Sequence, residues 1–343
     1  MLKRRSLLLS AAGLASLPLA GLATTSEVKV EPSPVRVPIL LDTDIGSDID
    51  DAVALAYLLR QPACELLGVT TVTGQPTERA RLARALCDAA NVHIPIVPGI
   101  AEPLVIAQRQ TEAAQIEKLK EANNAPFPNF SAIAFMREMI RARPGEITLL
   151  AIGPFTNVAA LFRLDPEIPA LLKQLVVMGG KFSDYPTPWG PTEWNAIVDP
   201  HATQEMLANA GHKVTAYGLD ITWQVSMTPE EVSSAFANDA LLRIVRDWSE
   251  VWFRERELLH FHDPLAAAAI FKPDICDYTH GHVEVDLATP ETSGITRFTP
   301  DTEGPVRVAT AVRPNQFFDE YFSPFQASTQ HLRNRSSSGS PAP

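Results

Sequence analysis

The sequence predicts an α/β fold, a doubly wound, mostly parallel sheet with helices on both faces. Short, almost continuously apolar runs alternate with longer amphipathic segments along the chain. Strands that crossover helices bury on both faces have this continuous apolar character. The composition, 45% hydrophobic and 20% charged, is that of an ordinary globular protein. We therefore expect a single domain over residues 37–330.

Six runs are predicted as the parallel strands, and helical segments separate several of them. The predicted strands are residues 37–42, 65–72, 94–99, 147–152, 174–179 and 213–220. Between them, stretches such as "TERARLARALCDAA" and "SAIAFMREMIRARP" have the apolar spacing of amphipathic helices. Beyond residue 280, the runs "HVEVDLA" and "GPVRVATAV" predict two edge strands.

The two ends of the chain differ from this pattern. The opening "MLKRRSLLLSAAGLASLPLAGLA" has a basic start with paired arginines, an apolar stretch and small residues, which predicts a twin-arginine export signal over residues 1–23. An uncleaved membrane anchor is the alternative, although the apolar run is short for a membrane span. Residues 24–36 are predicted as a linker and residues 331–343 as a disordered tail. We expect a periplasmic or secreted protein, without stable membrane association once the signal is removed.

The overall charge restricts the class of partner. A formal net charge of −11 and a sequence pI of about 5.2 argue against a nucleic-acid partner. The mean field would also repel a polyanionic ligand, but not a neutral or metal-bound small molecule.

The stretch "DTDIGSDIDDAVAL" places five aspartates within ten positions, directly after the first predicted strand. Like charges this close repel one another and require a counter-charge. Calcium takes six to eight oxygen ligands and would supply one. Asp50 and Asp51 open the next helix, where a carboxylate is also favourable as a simple helix-terminal charge. On this stretch alone, a phosphatase with an aspartyl nucleophile is a competing interpretation.

Further polar motifs follow later strands. "TGQP" follows the second strand, "GPFTN" the fourth, and "TWQ" the sixth, while "PTEWN" lies in the loop after the fifth. In open parallel sheets, ligands bind outside the carboxyl ends of the strands. The sequence therefore predicts one site at that edge of the sheet.

The ordered motifs "DTDIGSDIDDAVAL", "GVTTVTG", "AIGPFTNVA", "VVMGG", "EWNAIVDP" and "HDPLAAA" resemble the inosine-uridine-preferring nucleoside hydrolase family over roughly residues 37–270. The resemblance implies a calcium-containing N-ribohydrolase on a doubly wound α/β fold. It also implies a small-molecule nucleoside as substrate and a homodimer or homotetramer.

The resemblance also implies roles for particular residues. Calcium would be held by the carboxylates of Asp44, Asp51 and Asp263 and by the backbone carbonyl of Ile152. Asp50 would be the base that takes a proton from the attacking water. His262 matches the position that protonates the departing base in some members, and Asp263 beside it would favour its charged form. Local sequence alone would make Asp263 a helix cap before a proline.

Substrate contacts are implied at a second set of positions. Glu193 and Asn195 match ribose-binding positions, with Met178 nearby. Gln75 stands where the family usually has Asn, and its longer side chain would have to reach the site. The indole rings of Trp194 and Trp223 are candidates for stacking on a nucleobase.

Two departures from the family pattern leave roles open. Two extra residues separate Gly46 from the Asp-Asp pair, so Asp48 is a candidate additional ligand, and the role of Asp42 is also open. The loop segments "EAAQIEKLKEANNAPFPNF" and "KFSDYPTPWGPT" differ from the usual ones. Substrate preference is therefore the least transferable property.

The sequence as a whole predicts calcium-dependent hydrolysis of ribonucleosides to ribose and free base, in nucleoside scavenging. One alternative is a hydrolase of another ribosyl or sugar compound at the same site. The other is a calcium-stabilised sugar- or nucleoside-binding protein without turnover. The complete aspartate set favours catalysis, because binding alone would not require a base beside the metal.

Overall fold

The computed structural model describes residues 36–119 and 125–337, with side chains described as far as residue 326. The predicted export signal, residues 24–35 of the predicted linker and residues 338–343 lie outside this part of the chain. Among the described residues, no helix combines the length and the apolar character that a membrane span requires.

The described chain alternates strands and helices. The strands are β1 (Val37–Thr43), β2 (Cys64–Thr71), β3 (Ile96–Pro98), β4 (Thr148–Ala151), β5 (Gln174–Met178), β6 (Val214–Tyr217), β7 (Ser226–Met227), β8 (Leu259–His260), β9 (Cys276–Val285), β10 (Thr296–Pro300) and β11 (Val306–Val312). The helices are α1 (Asp50–Arg60), α2 (Pro76–Ala89), α3 (Ala132–Ala142), α4 (Thr156–Leu164), α5 (Ile168–Leu171), α6 (Trp194–Val198), α7 (Pro200–Asn209), α8 (Leu219–Thr222), α9 (Pro229–Ala235), α10 (Ala240–Trp252), α11 (His262–Ala269) and α12 (Pro314–Ser337). Short 3-10 turns cover Ala114–Lys118, Gly211–Lys213 and Pro273–Ile275.

The main sheet has nine strands in the order β10-β9-β11-β6-β5-β4-β1-β2-β3. From β3 to β11 the neighbouring strands pair in parallel, and β9 and β10 pair antiparallel. The predicted doubly wound, mostly parallel fold is confirmed, and all six predicted parallel strands are present.

The prediction of two edge strands near the end of the chain was wrong. The strand β11, from "GPVRVATAV", lies between β6 and β9, and β9 lies between β11 and β10. The actual edge is β10, whose sequence "TRFTP" carries a charge and a proline. Both features suit an edge, where fewer ladder hydrogen bonds are needed. They also weakened the strand pattern in the sequence.

Each face of the sheet has its own apolar core because successive strand residues point to opposite faces. In β1, Ile39 and Leu41 pack on the face covered by α1, α2, α10, α11 and α12, whereas Leu40 packs on the face covered by α3, α4 and α7. Both faces of the parallel strands are therefore buried, which explains their continuous apolar sequences.

The sheet changes winding direction beside β1. The chain passes from β1 through α1 to β2 on one side, and β4 then joins β1 on the other, with Asp42 opposite Ala151 in the register. A crevice at the carboxyl ends of two such strands is the usual ligand site of this topology. The aspartate-rich loop after β1 opens into this crevice.

The last helix extends into the segment that was predicted to be disordered. The helix α12 is described as far as Ser337, past residue 331. Its end contains Gln, Leu and Arg, which have good helix propensity, and the first glycine after the start of α12 is Gly339.

Candidate active site

A cavity of about 580 Å³ lies at the carboxyl ends of the central strands. Most of the residues predicted from sequence line it: Asp44, Asp48, Asp50, Asp51, Ile152, Met178, Glu193, Trp194, Asn195, His262 and Asp263. Three predicted residues, Asp42, Gln75 and Trp223, are not part of its wall. Segments more than 200 residues apart in the chain thus meet at one site.

Three buried carboxylates converge at the base of the cavity. Asp50 and Asp51 come from the start of α1, Asp263 comes from the start of α11, and one ligand oxygen of each lies within 4.8 Å of the others. The backbone N–H of Asp263 donates to Asp50 Oδ2 at 3.0 Å. Burial raises the pKa of all three groups well above the usual value, and neighbouring carboxylates raise it further. Such a group is stable only with bound protons or a cation.

Asp44 and the carbonyl of Ile152 extend this carboxylate cluster along the cavity wall. A Cβ at Gly153 would come within 2.8 Å of Asp44 Oδ1, so the glycine of "GPFTN" permits the close approach of Asp44 to the end of β4. Asn195 Nδ2 donates to the Ile152 carbonyl oxygen at 2.8 Å. A carbonyl oxygen has a second lone pair, which stays available to a ligand.

A buried arginine supplies positive charge beneath the aspartates. Arg79, in the first turn of α2, is fully buried, and its guanidinium donates to the backbone carbonyls of Thr73 (2.8 Å), Ile45 (3.2 Å) and Asp44. Its charge lowers the pKa values of Asp44 and Asp51, against the larger effect of burial. Sequence reasoning missed it. One signal was present, because a cation is unfavourable in the first turn of a helix and its occurrence there needs a reason.

The helix α1 begins at Asp50, as the sequence predicted, and another residue accepts the free amides at its start. Neither Asp50 nor Asp51 caps the helix, whose N-cap residue is Ile49. Instead Asp48 Oδ1 accepts the N–H groups of Ile49 (2.6 Å) and Asp50 (3.4 Å). The two-residue insertion therefore provides the group that accepts the first free amides of the helix.

The capping interpretation of Asp263 is wrong. The helix α11 begins at His262, so Asp263 lies inside the first turn, after the N-cap residue Phe261. Asp199, which also precedes a proline, does cap its helix α7, where it accepts the N–H of Ala202 at 3.0 Å. Because Asp263 is not engaged in capping, its carboxylate is left to face the cavity.

Glu193 is held rigidly in the cavity wall. It is the N-cap of α6 and accepts the N–H groups of Asn195 (2.8 Å), Ala196 (3.0 Å) and Gly180 (2.8 Å). Gly180 of "VVMGG" has a φ of +77°, a conformation that glycine adopts without strain. Burial raises the pKa of Glu193 to about 7. The three amides fix the carboxylate oxygens, which keeps Glu193 in one orientation toward a ligand.

Asn195 is turned partly into the protein. Besides its bond to Ile152, its Nδ2 lies 3.2 Å from the carbonyl oxygen of Met178. Asn195 and Met178 are both buried on the cavity wall. Asn195 therefore links the ends of β4 and β5 while it faces the cavity.

Aromatic rings stack behind the cavity. The ring of Trp223 stacks on that of His260, with the ring centroids 3.6 Å apart. The ring of His260 stacks in turn on that of His262, with the centroids 5.3 Å apart. Trp189, which does line the cavity, meets the edge of Trp223 at 5.0 Å. Trp223 thus supports the wall from behind, and the prediction that it contacts the substrate is not supported by its position.

The surroundings of His262 disfavour its charged form, whereas the sequence led us to expect that Asp263 would favour it. Burial, followed by the neighbouring His260, lowers the pKa of His262 to about 3. The pKa of Asp263 is itself raised, so this carboxyl is a poor counter-charge. The Nδ1 of His262 lies 2.7 Å from Thr222 Oγ1.

Two other predicted residues have positions away from the cavity. Gln75 Oε1 accepts the backbone N–H of Ala113 at 3.1 Å, so its side chain is engaged in the loop and not in the cavity. Asp42 is fully buried and accepts Asn157 Nδ2 at 2.8 Å, and its Oδ2 has no hydrogen-bond partner among the described residues. Burial raises the pKa of Asp42 to about 7. Asp42 is a structural carboxyl under the site.

The structure thus has a carboxylate-rich cavity at the switch point of a mostly parallel α/β sheet, where ligands of such folds bind. The family model described as inosine-uridine preferring nucleoside hydrolase matches residues 39–319 of the chain. The chain therefore belongs to this family, which confirms the resemblance in the motifs, and by class it is a nucleoside N-ribohydrolase.

Individual relatives agree with this assignment. The chain is 33% identical over 276 residues to the non-specific ribonucleoside hydrolase RihC of Escherichia coli, covering 76% of this chain and 88% of that protein. It is 29% identical over 280 residues to uridine nucleosidase 1 of Arabidopsis thaliana, covering 75% and 79%. A purine-preferring ribonucleoside hydrolase from Gardnerella vaginalis has the same fold, with a TM-score of 0.75 at 22% identity, covering 85% of this chain and 99% of that one.

Proposed function

We propose that this enzyme is a calcium-dependent ribonucleoside hydrolase that releases ribose and a free base. The observation that carries the proposal is the convergence of Asp50, Asp51 and Asp263 within 4.8 Å, in a cavity whose wall also includes Glu193. A metal-proximal base and a ribose-binding carboxylate in one cavity suit cleavage of a ribosyl bond.

The donor set fits a hard divalent cation. Its atoms are carboxylate and carbonyl oxygens from Asp44, Asp51, Asp263 and Ile152, the ligand type that calcium prefers. Among the described residues, no hydrogen-bond donor reaches the Asp263 carboxylate, and its raised pKa has only burial and like charges as causes. A bound calcium would neutralise these charges and supply Lewis-acid polarisation of the oxygens it contacts.

The residues have complementary roles in the reaction. Cleavage of an N-glycosidic bond passes through an oxocarbenium-like ribosyl state. A water attacks C1′, the bond from C1′ to the base nitrogen breaks, and Asp50 takes the proton of the water. Glu193 accepts ribose hydroxyls in charge-assisted hydrogen bonds. His262 donates a hydrogen bond to the departing base, which leaves as an anion and takes a proton from solvent, while Asp50 returns to solvent the proton that it took.

The range of substrates is proposed from the activities for which the matched relatives are named. The matched relatives are named for uridine and for ribonucleosides without specificity, so we propose that the chain accepts ribonucleosides and serves nucleoside scavenging. Ribose release from inosine, uridine, adenosine and cytidine by the full chain, with chelator or with calcium, tests this. Chelator-sensitive release from any of the four is expected. Release that no chelator affects would reject the calcium requirement, and no release from any would favour another sugar substrate.

Localisation and assembly are separate proposals. We propose export by the twin-arginine route to the periplasm or medium, based on the paired arginines at residues 4 and 5. Replacing both with lysine should hold the enzyme in the cytoplasmic fraction; unchanged export would reject the route. We also propose a homodimer or homotetramer, for which light scattering should give a mass of two or four 37.4 kDa chains. A single-chain mass would reject it.

A further inference from the structure

A segment after β3 lies along the aspartate loop. We call residues 108–118 the strap. The backbone N–H of Gln115 donates to the Gly46 carbonyl at 3.0 Å, and Ser47 Oγ donates to the Glu112 carbonyl at 2.8 Å. Gln115 Nε2 donates to the Asp48 carbonyl at 3.0 Å. The strap is therefore bonded directly to the two-residue insertion, so that two departures from the family pattern form one structural unit.

The far end of the strap reaches the opposite side of the cavity. Glu117 pairs with Arg254, and Lys118 Nζ lies 2.5 Å from Glu250 Oε2. The second pair joins the strap to α10, and the first joins it to the residues that follow α10. The strap thus spans from the aspartate loop to the end of α10, and Gln110 lies on it where it lines the cavity.

The side-chain amide of Gln110 makes two bonds of opposite polarity. Its Nε2 donates to Asp44 Oδ2, and its Oε1 accepts from Trp194 Nε1. A carboxylate accepts only and an indole N–H donates only, so these partners permit one orientation of the amide. Gln110 itself is 6% exposed, whereas Trp194 is 49% exposed. A buried amide thus joins a predicted calcium ligand to an open aromatic wall.

These bonds have consequences at both ends. The bond from Gln110 to Asp44 Oδ2 fixes the orientation of this carboxylate, and Oδ1 and the second lone pair of Oδ2 stay available to a cation. The indole of Trp194 is held by its N–H although half of its surface faces solvent. Gln75, the amide expected at the site from sequence, is bonded to Ala113 instead.

We propose that Gln110 is a positioning residue that couples calcium binding at Asp44 to the placement of Trp194. This proposal rests on the calcium site of the proposed function. Groups that orient a metal ligand typically contribute roughly 10- to 100-fold in metal affinity. Gln110 does so for Asp44, and the same amide transmits the state of the cation site to the cavity wall.

Calcium titration of the full chain by calorimetry and by tryptophan fluorescence tests the coupling. Gln110→Met keeps the length of the side chain and removes both hydrogen bonds. It should weaken calcium binding roughly 10- to 100-fold. Calcium should change the tryptophan emission of the wild type. Loss of this change in Trp194→Phe would assign it to Trp194, and Gln110→Met should abolish it as well. The matched control is Gln174→Met, because Gln174 Nε2 donates to Thr148 Oγ1 at the start of β5 and Gln174 does not line the cavity. It should retain calcium affinity.

A double-mutant cycle separates positioning from a general effect on folding. Trp194→Phe should lower calcium affinity several-fold in the wild type and have no further effect in Gln110→Met, because the connection passes through the amide. Additive effects, or an equal loss in Gln174→Met, would overturn the coupling. Unchanged calcium affinity in Gln110→Met would also overturn the coupling, but it would leave the proposed function intact. A wild type that binds no calcium would instead reject the calcium site and this inference together.

Discussion

The guanidinium of Arg79 donates a hydrogen bond to the backbone carbonyl of Asp44, placing a buried cation directly under the aspartate-rich loop. The same group holds the carbonyls of Thr73 and Ile45. Arg79 therefore joins the loops after β1 and β2 and partly offsets the carboxylates before any metal ion is bound. The repulsion evident in the sequence is met by the protein itself as well as by the proposed calcium.

Arg79→Met should reduce the free energy of unfolding by about 3–5 kcal/mol, since it leaves buried carbonyls without a donor and carboxylates without their cation. Urea denaturation measures this. Arg81→Met is the matched control in the same helix, because Arg81 is partly exposed and pairs with Glu78 on the surface. The control should change stability by about 0.5 kcal/mol or less. Equal stability of both variants would contradict the structural role of Arg79.

Asp50→Ala should lower kcat by roughly 10²- to 10⁴-fold, the usual contribution of a general base. Calcium binding and nucleoside binding should persist, because the metal ligands are assigned to other residues. Steady-state kinetics, with calorimetry of calcium binding, measures both. Unchanged turnover would show that the base is another group.

His262→Ala should affect substrates according to their leaving groups. Natural nucleosides have poor leaving groups, so the loss of a hydrogen-bond donor should lower kcat/KM by roughly 10²-fold or more. A riboside with a nitrophenolate leaving group needs little assistance and should lose much less. Parallel kinetics on the two substrate types measure the difference. An equal loss on both would place the role of His262 in sugar binding or folding.

Calcium should stabilise the folded enzyme independently of turnover. Binding to the folded state alone adds about 2.7 kcal/mol at a free concentration one hundred times Kd, so chelation should lower the Tm. Asp263→Asn should remove this response, whereas Asp165→Asn should retain it, because Asp165 pairs with two arginines of α3 and does not line the cavity. Thermal unfolding with calcium and with chelator provides the measurement, and a wild-type Tm that ignores calcium would count against the site.

Asp165 should contribute a pH-dependent part of the stability. Arg141 and Arg137 hold the pKa of Asp165 well below its usual value of 3.8. The folded state thus binds this proton more weakly than the unfolded state, and the stabilisation is present above about pH 4 and lost as the pH falls further.

The free energy of unfolding should therefore differ between wild type and Asp165→Asn by a constant amount near neutral pH and by less below about pH 4. Urea denaturation across this range measures it. Glu205→Gln is the control, because the ion pair of Glu205 with the exposed Arg163 should contribute almost nothing to the free energy of unfolding. A difference independent of pH would contradict the linkage.

Local patterns determined much of this protein. The apolar runs predicted the six central parallel strands because burial on both faces requires such sequences. The "DDAVAL" stretch placed Asp50 and Asp51 at the start of α1, and strand order placed the motifs at one edge of the sheet.

The tertiary structure decided which side chains reach the cavity. Gln75 and Gln110 are chemically identical, and the path of the strap, not the local sequence, brings Gln110 to Asp44 and leaves Gln75 at Ala113. Arg79 became a counter-charge only because α2 begins under the aspartate loop. Local sequence specifies helices and strands through short-range backbone and burial preferences, whereas a contact across 66 residues of chain depends on how the packed elements place their loops.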